Sequence, residues 1–462
     1  MTIFAPTLPD NGRPRYVALA DAIAQAISEG TLAPGDRLPP QRDLAWRLKV
    51  TVGTVSRGYQ LAASRGHVSG QIGRGTYVLA PAARIRGTPF HDLPADAHIP
   101  LKANLPADIG QEEALRDQLH LLLQEGGHRI ADYIPVGGAP HHRAAAALWL
   151  RQAGFDLPAE RVILTAGAQQ AIATALIAAS SPGDCILSEA LTYHGLAGQV
   201  RYLSRRLQTV AIDDQGIVPE SFETACIQFN PKALFLVPSL QNPTTAIMPQ
   251  ERRRQIADIA RTHNVALIED DVYAPLLPQM PAPVSLHYPQ NSFYVASLSK
   301  AVTPGLRIGY LVPPAHMTAR TQTIQHTLSQ GVPPLMAELA TGLIDSGRAD
   351  ALIAAQRREI AARIGIAADY LAGFHIRSNP NAPHIWLSLP EPWRAATFVE
   401  AARTRGVEIA SGDEFMTNQT SLTDHHVRIC VGAPQTREQL RAGLETLAGL
   451  LHEAPMENAS FA

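Results

Sequence analysis

The amino-acid sequence predicts a multidomain protein, a small helix–turn–helix module with a β-wing followed by a large α/β unit on a mostly parallel sheet. Three observations carry this expectation. Residues 1–80 hold nine Arg or Lys against five Asp or Glu, whereas the whole 462-residue chain is net −2, so a basic module precedes an acidic remainder. Residues 80–100 contain Pro81, Pro89, Pro94 and Pro100 without helical or strand period, as an extended tether would. From about Leu150 onward, short apolar runs alternate with longer amphipathic ones, the pattern of strands covered by helices. The expected boundaries are a module over 1–79, a linker over 80–100 and a large unit over 101–455. Within that unit the larger part spans about 135–335 and the smaller about 336–455.

Composition narrows the class. With 46% hydrophobic and 17% charged residues the chain suits a soluble protein with a large core. Cys185, Cys226 and Cys430 are too few for a disulfide framework, which points to a reducing cytosol. The first residues lack the charged and apolar regions of a signal peptide. The most apolar run, Val162 to Ser180, is broken by Gly167 and Gln169-Gln170, so it reads as strand, turn and helix rather than a membrane span. A cytoplasmic protein without a membrane partner is expected.

In the module, Leu19, Ile23 and Ile27 form one stripe of a helix over Val17–Ile27, with Gly30 as its stop. Pro34-Gly35-Asp36 reads as a turn. A second helix fits Gln41–Leu48, with Leu44 and Leu48 inward, and a third starts near Thr51, whose hydroxyl can cap it. Beyond it, Gly66 to Val78 alternates and turns on glycines, which suits a two-stranded hairpin. These blocks resemble the winged helix-turn-helix of the GntR regulators. The match runs in order through Pro34-Gly35-Asp36-Arg37-Leu38-Pro39, Arg42-Asp43-Leu44-Ala45, Thr54-Val55 and Gly73-Arg74-Gly75-Thr76-Tyr77-Val78. The resemblance implies a double-stranded DNA operator as partner, with the third helix in the major groove and Arg42, Thr54, Arg57, Arg74 and Gly75 as contacts. Two departures stand out. Lys49 takes a turn position that is often Gly, so either a non-Gly residue adopts positive φ or the turn differs. Val52-Gly53 replaces a usually polar pair, which thins direct base readout.

In the large unit, strands are expected at Val162–Thr165, Cys185–Ser188, Ala233–Val237, Ala266–Glu269, Ser292–Ala296 and Arg307–Val312. Helices are expected at Ala168–Ala179, Glu251–Thr262, Asp350–Leu371 and Gln435–Leu451. Ligands of open α/β sheets collect beyond the carboxyl ends of the strands. Residues of chemical interest cluster there in the sequence. Thr165 runs into Ala166-Gly167-Ala168-Gln169 and a helix N-terminus, a place for a phosphate. Glu269 leads into Asp270-Asp271-Val272-Tyr273, and Val237 leads toward Gln241-Asn242-Pro243. Ala296 leads into Ser297-Leu298-Ser299-Lys300 and then Arg307.

Lys300 is one of only four lysines among 39 basic residues. A chain that otherwise writes positive charge as Arg has placed there the one cationic side chain that can also be a neutral primary amine and form a Schiff base with an aldehyde. An amine, a phosphate cradle, a carboxylate and Arg307 at one sheet edge describe a site for an aldehyde-bearing aromatic phosphate, and pyridoxal 5′-phosphate fits.

Residues 100–455 resemble the fold-type I aminotransferases, a PLP-dependent transferase fold. The resemblance implies an internal aldimine on Lys300, Asp270 paired with the pyridinium nitrogen, and Tyr273 and Asn242 on the ring's 3′ oxygen. It further implies Tyr193 stacked on the ring, and a phosphate held by Gly167, Ala168, Gln169, Ser297, Ser299 and Arg307. Arg428, in Val427-Arg428-Ile429-Cys430, matches the residue that grips an amino acid's α-carboxylate. Tyr133 matches a tyrosine reaching the phosphate of a neighbouring subunit, which implies a homodimer. His141-His142 and His425-His426 have no Cys or carboxylate at ligand spacing in sequence, and no metal is expected.

Module, tether and aminotransferase-like unit in this order resemble the MocR/PdxR family of transcriptional regulators. The resemblance implies a regulator sensing an amino acid, an amine or the coenzyme itself through Lys300. The alternative is an active PLP-dependent aminotransferase with a vestigial or moonlighting DNA-binding module.

Overall fold

The computed structural model describes residues 6, 14–28, 31–33, 36–64, 67–71, 75–78, 98–124, 130–417 and 423–453. It divides into two units, Met1–Leu93 and Pro94–Ala462. Among the described residues no helix is long and apolar enough to cross a membrane.

In the first unit, helices Arg15–Ser28, Gln41–Leu48 and Val52–Ser64 are followed by a hairpin. Its strands Val68–Gln71 and Gly75–Val78 pair antiparallel from Val68↔Val78 to Gln71↔Gly75. Of the residues expected to face inward, Leu19, Ile23 and Leu44 are buried and Ile27 and Leu48 pack partly buried against them, while Val55, Tyr59, Val68 and Val78 complete the core. Gly58 lets the first and third helices close up, since a Cβ there would lie 2.7 Å from Leu19 Cδ2. Lys49 resolves its alternative by adopting φ 51°, the left-handed conformation a Gly would take without strain. Thr51 caps the third helix as expected, accepting the Thr54 N–H on Oγ1 at 3.2 Å. Pro34, Gly35, Gly66, Gly73 and Arg74 lie outside the described residues, as does the tether from 79 to 97.

The second unit is organised by a seven-stranded sheet. Its spatial order is Ile163–Thr165, Gly309–Val312, Ser292–Ser297, Ala266–Asp270, Ala233–Leu236, Cys185–Glu189 and Arg206–Val210. Gly309–Val312 runs antiparallel to both its neighbours, while the other adjacent strands pair in parallel. The central strands are buried along their whole length, as a sheet covered on both faces requires. The strand expected from Arg307 begins only at Gly309, because Arg307 has φ 53°, outside strand conformation. Arg206–Val210, an edge strand, was not anticipated.

Toward the C-terminus a four-stranded antiparallel sheet packs with helices Arg348–Tyr370, Ala395–Thr404 and Arg437–His452. Its order is Ile376–Arg377, His384–Ser388, His426–Cys430 and Ala410–Ser411. The end of the expected linker is structured: Ile99–Pro100 pairs in parallel with Val407–Glu408, and Leu101 is fully buried.

Candidate functional site

The strand Ser292–Ser297 delivers Lys300 through a serine-rich turn. Ser297 Oγ accepts the Ser299 N–H at 3.0 Å and lies 2.9 Å from Ser299 Oγ, which fixes the turn leading to the amine. Lys300 is half-buried, and its Nζ donates to the Asn104 carbonyl at 2.7 Å. Burial, reinforced by the Arg428 charge, brings the amine down to about 8. The shift favours the neutral amine, the form that acts as a nucleophile.

The neighbouring strand Ala266–Asp270 ends in Asp270. Desolvation raises this carboxyl to about 7, while the Val272 N–H and the Lys300 charge oppose the shift. Its Oδ1 is buried with no hydrogen-bond partner among the described residues. A buried carboxylate oxygen without a donor is costly, and a cationic N–H would satisfy it. Behind it, Arg253 is fully buried and donates to the Pro238 carbonyl and Ser239 Oγ, with Nη1 3.7 Å from Glu269. Tyr294 Oη donates to Asp271 Oδ2 at 3.0 Å.

The turn from Thr165 into helix Ala168–Ala179 passes through Gly167 at φ 78°. A Cβ at Gly167 would stand 3.0 Å from Arg307 Nη2, so the guanidinium lies directly against this turn. Gly309 is equally confined: a Cβ there would meet Gly167 C at 2.7 Å. The Gly167 N–H is bonded to the Thr165 carbonyl at 2.8 Å. Gly167 therefore shapes the cradle and donates no hydrogen bond into it. Ala168 and Gln169 open the helix, and first-turn N–H groups have no partner within a helix. Arg307 is exposed.

Tyr193 is half-buried, its ring 4.9 Å from that of His194, and Gly195 leaves the space its ring fills. Tyr273 is buried, and its hydroxyl accepts from Asn104 Nδ2 at 2.9 Å. Arg428 is buried: Nη1 donates to Asn242 Oδ1 and Nη2 to the Lys102 carbonyl, each at 2.8 Å, and the guanidinium lies 4.6 Å from the Phe415 ring centre. Its Nε has no partner among the described residues. The structure thus brings Lys300, Asp270, Asn242, Tyr273 and Arg428 into one neighbourhood. It leaves Tyr133 88% exposed, away from any buried role within its own chain.

Three residues of this neighbourhood were not anticipated. Asn104 bridges Lys300 and Tyr273, His384 lies 3.4 Å from its Nδ2, and neither belongs to a recognisable pattern. Glu189 is fully buried and raised to about 8 by desolvation; its Oε2 accepts from Thr192, Val237 and Gln241, tying the Tyr193 loop to the Asn242 loop. Its place at the carboxyl end of an apolar strand was the available signal.

The histidine pairs find carboxylates that lie outside any ligand spacing in the sequence. Glu338 Oε1 lies 3.0 Å from His141 Nε2 and 2.9 Å from His142 Nε2, forming a His–His–Glu group. The Ala139 N–H donates to His142 Nδ1 at 3.3 Å, so Nε2 carries the proton and donates to Glu338. In His142 the Nδ1 lone pair is thus taken up by a backbone N–H. His425 Nε2 lies 3.6 Å from Glu391.

In the module, Arg42 and Arg57 are exposed and Thr54 is half-buried at the start of the third helix. Gly75 opens the second wing strand, and Arg74 falls outside the described residues.

Comparison with known proteins agrees with both units. Residues 98–447 match the aminotransferase class I and II family, and residues 15–78 match the gntR family of bacterial regulatory proteins. The chain is 32% identical to the HTH-type transcriptional regulator YdeF of Bacillus subtilis (strain 168), over 97% of this chain and 96% of that one. It is 29% identical to PtsJ of Salmonella typhimurium, a vitamin B6 salvage pathway transcriptional repressor, over 94% and 97%. Among solved structures, Pyrococcus horikoshii kynurenine aminotransferase superposes with a TM-score of 0.71 at 21% identity, covering 78% of this chain and 93% of that one.

Proposed function

We propose, since this chain belongs to the MocR/PdxR family of HTH-type transcriptional regulators, with an aminotransferase class I and II domain behind a GntR-type module, that it is a PLP-dependent sensor controlling DNA binding. The ligand sensed is an amino acid, an amine or the coenzyme itself. The observation that carries the coenzyme part of this reading is the buried, unpaired Asp270 Oδ1 within electrostatic range of the Lys300 amine, and the GntR-type module ahead of it carries the DNA-binding part.

The residues present fit pyridoxal 5′-phosphate. Asp270 would take its pyridine nitrogen, and the unpaired Oδ1 is the acceptor such an N–H requires. Ala168 and Gln169, Ser297, Ser299 and Arg307 would hold the phosphate in the cradle that Gly167 shapes. Tyr193 would cover the ring, and Asn242 and Tyr273 would meet its 3′ oxygen. Lys300 would be the covalent anchor. When bound, the coenzyme supplies an aldehyde that condenses with primary amines and a ring that accepts electron density. Arg428 would grip an effector carboxylate, exchanging its present bonds to Asn242 and Lys102 for a bidentate pair. Tyr133, exposed in the single chain, would reach the phosphate of a neighbouring subunit in a homodimer. On the operator, Arg42, Arg57 and Arg74 would hold phosphates while Thr54 and Gly75 approach the duplex.

Measuring operator affinity and footprint with and without pyridoxal 5′-phosphate and a panel of amino acids tests the coupling. A change in either is expected, and identical affinity and footprint under all conditions would reject it. Similarity to a vitamin B6 salvage repressor supports the coenzyme as the sensed molecule, and titrating coenzyme against amino acids in the same assay separates the two. The Lys300, Asp270 and Arg428 set also supports an aminotransferase reading. Steady-state transamination at roughly 1–1000 per second would establish that one.

A further inference from the structure

Three polar groups of the site converge on Asn104. The Lys300 Nζ donates to its backbone carbonyl at 2.7 Å. Its Nδ2 donates to Tyr273 Oη at 2.9 Å and lies 3.4 Å from His384 Nδ1. The ring behind it fixes the carboxamide's orientation. His384 Nε2 faces the Gln241 carbonyl at 3.1 Å, so Nε2 bears the proton and Nδ1 offers a lone pair, toward which the carboxamide must turn its NH2. Burial, helped by the Arg428 charge, holds His384 down to about 3, so the ring stays neutral and keeps this tautomer. With both N–H groups committed, Asn104 Oδ1 is left buried and has no hydrogen-bond partner among the described residues. A buried acceptor in that state is a place for a donor.

The group already seated on Asn104 shows what kind of donor fits. Lys300 ends in a primary ammonium, and the Asn104 carbonyl accepts from it. When that amine is engaged elsewhere, the carbonyl and Oδ1 of one residue both lack donors. Two residues earlier, the Lys102 carbonyl holds Arg428 Nη2 at 2.8 Å, so this short segment links the amine region to the carboxylate-binding guanidinium.

We propose that Asn104 is the amine-docking residue of the site: its O and Oδ1 accept N–H bonds from the ammonium of an incoming amino compound whose carboxylate is held by Arg428, while its Nδ2 keeps the Tyr273 hydroxyl in place. The inference rests on the coenzyme-bearing sensor reading and deepens it. What Asn104 adds is discrimination: an amino acid is selected over a carboxylic acid of the same size by the amine itself.

The test uses full-length protein loaded with pyridoxal 5′-phosphate, titrated calorimetrically with glycine and L-alanine and with their deaminated counterparts, acetate and propionate. Coenzyme absorbance verifies folding and loading of each variant. Asn104→Ala, which keeps the backbone carbonyl but removes Oδ1, is expected to weaken the amino acids about tenfold, the scale of one hydrogen bond to a charged donor, and to leave the acids unchanged. Equal weakening of amino acids and acids by Asn104→Ala, no weakening of either, or a loaded wild type that binds no amino acid more tightly than its acid would each overturn the proposal. A wild type that takes up no coenzyme overturns the sensor reading beneath it.

Discussion

At the scale of the residue, the coenzyme-free site stores unfavourable electrostatics that set its pH response. Asp270 is raised to about 7 and Glu189 to about 8, in both cases chiefly by burial. Between their unfolded values near 4 and these folded values, each of these carboxyls binds more protons in the native state than in the unfolded chain, so its contribution to stability falls as pH rises through that window. Lys300, lowered to about 8, acts in the opposite sense only above that pH, and His384 and His194, held down to about 3 and about 4, act in the opposite sense only below the ordinary imidazole value, so the carboxyls dominate between pH 6 and 8. Thermal unfolding of coenzyme-free protein is therefore expected at lower temperature at pH 8 than at pH 6. Asp270→Asn should remove a penalty of up to about 4 kcal/mol above pH 7 and flatten that slope. The same variant should bind coenzyme poorly, because a neutral amide cannot balance a pyridinium charge. Calorimetric melts across pH with and without coenzyme check both halves. A variant that melts like wild type at pH 8 would show that Asp270 carries no such penalty.

At the scale of the element, what could be read from sequence depended on how much of the signal was local. Helix Ala168–Ala179 was legible to the residue because Gly167 and the apolar run define it, and the central strands because they are short, continuous and apolar. Arg206–Val210 was missed: at the sheet edge its residues are mostly half-exposed, and Arg206-Leu207-Gln208-Thr209 carries no clean alternation. The reversed direction of Gly309–Val312 was also illegible, because strand direction is decided by the preceding connection and by neighbours remote in sequence. Asn104 was hidden for a related reason. Its partners lie at positions 273, 300 and 384, and a segment next to a proline-bearing tether offers no motif. In the module the third helix presents Val52 and Gly53 exposed at its start, with Arg57 one turn on. Affinity there should come largely from phosphate contacts. Arg42→Ala and Arg57→Ala are each expected to weaken binding to specific and random duplexes alike and to reduce the salt slope by about 1. Fluorescence anisotropy across a salt series measures this; loss confined to one sequence would mean direct base reading instead.

At the scale of the whole molecule, the two-unit organisation was visible in charge, proline placement and periodicity, whereas pairings between distant segments were not. Glu338 meets His142 across 196 residues, and Ile99–Pro100 joins Val407–Glu408 from the opposite end of the unit. The connection between Ser297 and Gly309 has a consequence of this kind for kinetics. Both ends of that connection are stitched to each other in the sheet, Ser297 facing Gly309, and it carries Lys300 and Arg307 together. A molecule held by the amine at one point and by the guanidinium at another would be doubly tethered to a single short connection, so release of one hold would leave the other at high effective concentration. Lys300→Ala should accordingly retain coenzyme noncovalently through several rounds of desalting, while Lys300→Ala combined with Arg307→Ala should lose it at once. Residence time, more than occupancy, would then decide how long a signal outlasts the molecule that delivered it.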